Sequence, residues 1–211
     1  MQTTLQYPLK SDDLIITKIF FINCLPDEDV GVFNRCYEDI NAIILNKKIY
    51  KDRYERIDCD SAAKFLNALD KIFKEVNLYR LHQAIRANNI MQTVLPFIHI
   101  EAHGSKEAIQ MANGEIVAAE IFYEKILKIN IASENNTVLL SNTCYATSHI
   151  SNLKEIIKTE EKGLPIACSV YAAFGPEEKI NNQDIENNLV KLYENIFLRN
   201  ILENINQRCN K

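Results

Sequence analysis

His103 and Cys144 each stand at or near the end of an apolar run, and they are the residue types of a general base and a nucleophile. The first run reads Pro96-Phe97-Ile98-His99-Ile100-Glu101-Ala102-His103-Gly104, the second Thr137-Val138-Leu139-Leu140-Ser141-Asn142-Thr143-Cys144. A cysteine attacks as its thiolate, so an imidazole that accepts the proton or steadies the anion makes it a competent nucleophile. Attack on a carbonyl then creates an oxyanion, which calls for preorganised N–H donors. Gly104 has no Cβ and lets the backbone come close to a substrate.

That chemistry requires the two runs to be neighbouring strands that end at one sheet edge. Ligands of an open parallel sheet bind at the carboxyl ends of its strands. The order of elements fits this. Leu14 to Cys24 is rich in β-branched and aromatic residues and stops before Pro26, as a central strand would. The pattern predicts a helix over about 29–46 and a weaker, more exposed strand within 48–59. Asp60-Ser61 offers an N-cap to a helix with Phe65, Leu66, Leu69, Ile72, Phe73 and Val76 on one face. A further helix over 78–89 would turn Leu81 and Ile85 inward.

Beyond Gly104, Asn113-Gly114 between apolar segments is a strong hairpin signal and places a small ribbon beside the site. A helix over 118–129 leads into the Cys144 strand, and a second over 149–159 leaves it. The segment 166–171 reads as one more buried strand, 172–182 as a loop, and the stretch from Ile185 to Ile205 as a long amphipathic helix. Strands that alternate with helices predict an α/β fold of three layers, a mostly parallel central sheet with helices on both faces, over a single domain 1–211.

Composition limits the function. The chain has 211 residues, 47% of them hydrophobic, and a formal net charge of −4 with basic residues scattered among acids. That suits one packed domain and disfavours a phosphate-binding face, so direct nucleic-acid binding is not expected. The beginning of the chain lacks the pattern of a secretory signal, and its best apolar run is broken by Lys18, so a cytoplasmic protein with no membrane partner is expected. The six cysteines, Cys24, Cys36, Cys59, Cys144, Cys168 and Cys209, show no CxxC spacing and are read as free thiols.

Each candidate also has a plainer reading. A strand-end cysteine is commonly a small hydrophobe, and Cys24 is explained by core packing. His99 and Glu101 alternate with Ile98 and Ile100 and would share a strand face with His103. His99 reads as a hydrogen-bonded core histidine. Glu101 either orients His103 or, the favoured reading, is satisfied by a neighbouring helix or backbone. His99, His103, Cys144 and His149 raise a metal alternative, but His-Ile-Glu-Ala-His in a strand does not converge on one ion, so neither metal nor cofactor is expected.

Together these residues resemble the caspase-like cysteine peptidases and, within them, the bacterial CHAT branch. The resemblance rests on the apolar blocks before His103-Gly104 and before Cys144, on His99 four positions ahead of His103, and on Gly104-Ser105 leading into the Asn-Gly ribbon. Leu139-Leu140-Ser141, the acidic loop after the last strand and Tyr193 in the final helix extend it across roughly 14–202. It implies a caspase-like fold and a Cys144/His103 dyad that cleaves a protein substrate, with the backbone N–H groups of Gly104 and Cys144 as oxyanion donors. It also implies a role in bacterial defence or cell death.

Specificity is bounded by an absence. Reading an aspartate just before the scissile bond calls for an arginine fork, and no arginine occurs between Arg86 and Arg199, so a preference for aspartate is disfavoured, although Arg53 and Arg56 could reach in from an earlier loop. Asn142 is expected to line the substrate pocket, and Glu177 and Glu178 to read a basic residue there, although a solvated acidic loop is the plainer meaning. An unregulated peptidase would endanger its host, so a regulatory protein partner is expected to order the loops 105–113 and 171–182. Two other readings stay open: a catalytically silent interaction module that docks a partner, and a thiol amidase acting on a small molecule.

Overall fold

A computed structural model describes residues 14–46, 54–86, 93–146, 172–179, 181 and 188–194. Five strands form one sheet: β1 (Leu14–Asn23), β2 (Tyr54–Asp58), β3 (Thr93–Glu101), β7 (Val138–Asn142) and β8 (Ala172–Phe174). Their order is β2-β1-β3-β7-β8, and every pairing is parallel. The helices are α1 (Val30–Asn46), α2 (Ala62–Arg86) and α3 (Ala119–Ala132), and residues 188–194 are also helical. A separate antiparallel ribbon is built from β4 (His103–Gly104), β5 (Ala108–Gln110) and β6 (Ile116–Ala118).

The period-two alternation of the strands divides the core into two. Phe20 and Ile22 of β1, Ile98 and Ile100 of β3 and Leu139 of β7 face α2 and α3, where Phe65, Leu69, Ile72, Phe122 and Ile126 cover them. Ile19, Phe21, Phe97, Val138 and Leu140 face the other way, onto Phe33, Cys36 and Ile40 of α1 and onto Leu189 and Tyr193. The result is a three-layer α/β arrangement. Each fully buried Phe, Leu or Ile contributes about 1.5–3 kcal/mol relative to exposure, so the two cores hold the sheet between them.

The chain leaves β1 through α1 on one face to reach β2, then returns through α2 on the opposite face to β3. The direction of winding therefore reverses between β1 and β3. In open parallel sheets such a reversal opens a crevice at the carboxyl ends of the two strands.

Several expectations are corrected. The stretch 62–86 is one helix, not two, and Leu81, expected inward, is 55% exposed beside Leu78 at 58%. The amphipathic stripe has drifted off the sheet by that point, because 3.6 residues per turn carries it around a long helix. The last observed strand of the sheet is β8, inside the stretch expected to be a loop. The expected strand 166–171, helix 149–159 and most of the C-terminal helix lie outside the described residues. Among the described residues no helix is long and apolar enough to cross a membrane.

The ribbon is as the Asn-Gly pair predicts. Gly114 has φ +85°, a conformation open to glycine, and its N–H donates to the Met111 carbonyl at 2.9 Å. The ribbon tip is fastened to the start of α2: the Asn113 N–H donates to the Asp60 carbonyl at 2.9 Å, and the Ala62 N–H to Glu115 Oε2 at 2.8 Å. A carboxylate at the first turn of a helix also complements its dipole.

Candidate active site

β3 and β7 are neighbours in register, with Glu101 opposite Asn142, so His103 and Cys144 each lie two residues beyond a paired position at the same carboxyl edge. The main sheet ends at Glu101. After Ala102 the chain passes into the ribbon, where His103 and Gly104 pair with Gln110 and Ile109. This corrects the expectation that His103 shares a strand face with His99 and Glu101. Those two are buried, whereas His103 is 47% exposed, because its backbone now follows the ribbon.

Gly104 lies directly against the backbone of Cys144. A Cβ built on it would sit 3.1 Å from the Cys144 carbonyl oxygen and 3.2 Å from Thr143 Cβ, so the ribbon and the β7 turn meet there closely enough that a side chain would require its neighbours to give way. Cys144 differs from the other described cysteines. Cys24, Cys36 and Cys59 are buried, and Cys144 is partly exposed. Cys24 lies beside Cys59 at the ends of β1 and β2, and a thiol–thiol hydrogen bond together with burial pushes its pKa well above the ordinary thiol value. It remains a protonated core residue. Cys168 and Cys209 lie outside the described residues.

The turn that carries Cys144 is strained. Tyr145 has φ +61°, the left-handed region, which costs a bulky L-residue about 1–2 kcal/mol. Ser141 and Thr143 brace the turn from within through an Oγ···Oγ1 hydrogen bond of 3.1 Å. The loop after β8 closes on its other side. The Tyr145 N–H donates to the Glu178 carbonyl at 3.3 Å, and a Cβ on Gly175 would sit 2.4 Å from Ala146 Cβ and 2.7 Å from the Ser141 carbonyl oxygen. Glu177 and Glu178 are thus next to the Cys144 turn and exposed. Lys106 places its ammonium 5.7 Å from the Tyr145 ring centroid.

Asn142, expected to line a pocket, is 8% exposed and directed to Glu101: its Nδ2 donates to Oε1 at 2.9 Å and to Oε2 at 2.8 Å. Glu101 is 2% exposed and also takes His99 Nε2 at 2.7 Å, so it does not orient His103. His99 Nδ1 in turn meets the Tyr193 hydroxyl at 2.7 Å. An ionised carboxylate only accepts, which puts the proton of His99 on Nε2 and makes Nδ1 the acceptor from Tyr193. Burial pushes the Tyr193 phenol well above its usual value, so it stays a donor. The core reading of His99 is therefore the observed one. Among the described residues no group of three His, Cys, Asp or Glu side chains could hold a metal ion, and His149 lies outside them.

One site residue escaped the sequence reading. Asp29, between β1 and α1, brings Oδ2 to 2.8 Å from His103 Nε2 at the sheet edge where the winding reverses. The only signal for it in the sequence is the acidic run Asp27-Glu28-Asp29 after a strand-ending Pro, which equally reads as the start of a helix.

Arg56 is committed elsewhere. It donates Nε to both Asp58 carboxylate oxygens, at 3.0 and 3.1 Å, and one terminal nitrogen to Asn34 Oδ1 at 2.9 Å, and its guanidinium lies 4.9 Å from the Phe33 ring centroid. Desolvation acts to raise the Asp58 carboxyl, but the hydrogen bonds from Arg56 and Asn23 outweigh it and hold the group below its usual range. Arg53 lies outside the described residues. No protein-family model matches the chain, and no curated protein matches it by sequence.

Proposed function

We propose that this protein is a cysteine endopeptidase with a caspase-like fold of the CHAT kind. The observation that carries the reading is the meeting of Gly104 with the backbone of Cys144, the partly exposed thiol, at the edge where His103 stands half exposed. His103 accepts the thiol proton, Cys144 attacks the scissile carbonyl, and the N–H groups of Gly104 and Cys144 receive the oxyanion. His103 then protonates the leaving amine, and water hydrolyses the thioester.

With Arg56 held by Asp58 and Asn34, aspartate before the scissile bond is disfavoured, and the exposed Glu177 and Glu178 suit a basic residue there. A regulatory protein that orders the loops around Cys144 fits a cytoplasmic role in bacterial defence. The test compares the wild type with Cys144→Ala on a mixed peptide library, with and without candidate partners, alongside labelling by a thiol-reactive acyl probe. Cleavage lost in the variant, with the probe on Cys144, is the expected result. Cleavage that survives the substitution refutes the nucleophile. Labelling without any cleavage under either condition refutes the peptidase.

A further inference from the structure

We propose that Asp29 is the positioning residue for His103, fixing both the plane of its ring and which nitrogen faces the sulfur. The inference rests on the reading of Cys144 and His103 as a reacting pair. Asp29 Oδ2 lies 2.8 Å from Nε2, so the N–H at that nitrogen is directed to the carboxylate and the lone pair is left on Nδ1. Nδ1 is then the atom that receives the thiol proton, and the imidazolium formed keeps its Nε2–H···carboxylate bond. Proton and charge balance: the sulfur becomes a thiolate, the ring a cation, and Asp29 stays ionised throughout.

The placement of Asp29 supports this role. It immediately precedes α1, where an aspartate side chain ordinarily turns back to cap its own helix. Here Oδ2 reaches instead across the sequence to His103. Its backbone is set by the turn, with its own N–H and that of Val30 both donating to the Pro26 carbonyl, at 3.0 and 3.1 Å. The carboxylate is thus anchored to the main sheet's β1–α1 junction, whereas His103 belongs to the ribbon. At 45% and 47% exposure the pair adds little to folding stability, so its geometry is not needed to hold the core. A buried orienting aspartate accounts for about 10⁴-fold in rate. Half exposed, Asp29 is worth less, on the order of 10- to 100-fold.

The experiment uses the full chain as wild type, Asp29→Ala, Asp29→Glu and His103→Ala. One readout is the rate of Cys144 alkylation by iodoacetamide, resolved by peptide mass spectrometry. The other is kcat and KM on a peptide from the library screen. Asp29→Ala should slow alkylation and lower kcat by about 10- to 100-fold, with KM within about twofold, and Asp29→Glu should recover much of the loss. Melting temperatures should agree, since a merely structural role would move them. Asp29→Ala that alkylates and turns over like wild type while His103→Ala is slow overturns the proposal. If no peptide is cleaved, the peptidase reading fails by itself, and alkylation still decides here. Parallel slowing in Asp29→Ala and His103→Ala supports positioning, and slowing in His103→Ala alone, or in neither, refutes it.

Discussion

Removing the Asn142 amide tests how the floor of the site is held. Glu101 is a carboxylate at 2% exposure whose oxygens take two contacts from Asn142 Nδ2 and one from His99 Nε2. A hydrogen bond to a charged group is worth about 1.5–3 kcal/mol, and stripping one partner from a buried ionic group costs about 3–5 kcal/mol. Asn142→Ala leaves His99 in place, which sets the expectation at the lower bound, about 3 kcal/mol of a total near 5–15 kcal/mol. Urea unfolding followed by circular dichroism reads it as a midpoint lowered by about 1–1.5 M for a slope of about 2–3 kcal/mol/M. Glu101→Leu alone orphans two donors and should cost a similar amount. The double variant should fall short of the sum by about 1 kcal/mol or more, since the pair no longer leaves one member stranded. An Asn142→Ala protein within about 0.5 kcal/mol of wild type, or strictly additive costs, would refute the reasoning.

Two further outcomes follow from contacts elsewhere. Gly175→Ala drives a methyl into Ala146 and the Ser141 carbonyl, so it should destabilise by about 1–3 kcal/mol in thermal unfolding and slow Cys144 alkylation; a neutral substitution would show that the loop after β8 does not press on the Cys144 turn. Partial burial acts to raise the Glu55 carboxyl, but hydrogen bonds from Lys18 and Lys71 and their charges bring it below its usual 4.5. A lowered folded value means the stabilisation is complete above about pH 4.5 and is lost as pH falls through the folded value. Glu55→Gln should therefore cost up to about 1 kcal/mol at pH 7 and flatten the acid limb of a stability–pH curve, while an unchanged curve would refute the assignment.

The sequence carried the sheet well where burial on both faces left largely apolar runs, as in 19–24 and 96–101, and where Asn113-Gly114 forced a turn. It carried β8 poorly, because Ala172-Ala173-Phe174 has neither length nor β-branched residues and owes its pairing to β7. The end of β3 at Glu101 is invisible in the sequence: the alternation of Ile98 to His103 continues past the point where the hydrogen bonds change sheets. At the site, residue types disclosed Gly104 and Cys144, since their neighbours in sequence are also their scaffold. Asn142 could be placed on its strand but not aimed, because its acceptor is on another strand. Asp29 belongs to the same class of information, a long-range polar contact made by a residue whose local role looks complete without it.

The passage from Glu101 through Ala102 to His103 has a mechanical meaning. The imidazole and the sulfur are carried by two separately laced sheets, joined in the chain by a single alanine and pressed together at a glycine. Their alignment is therefore set by how the ribbon is seated, through Ile109, Met111 and Val117 in the core beneath α2 and α3 and through its ties to the start of α2, so loosening that seat would move the imidazole relative to the sulfur.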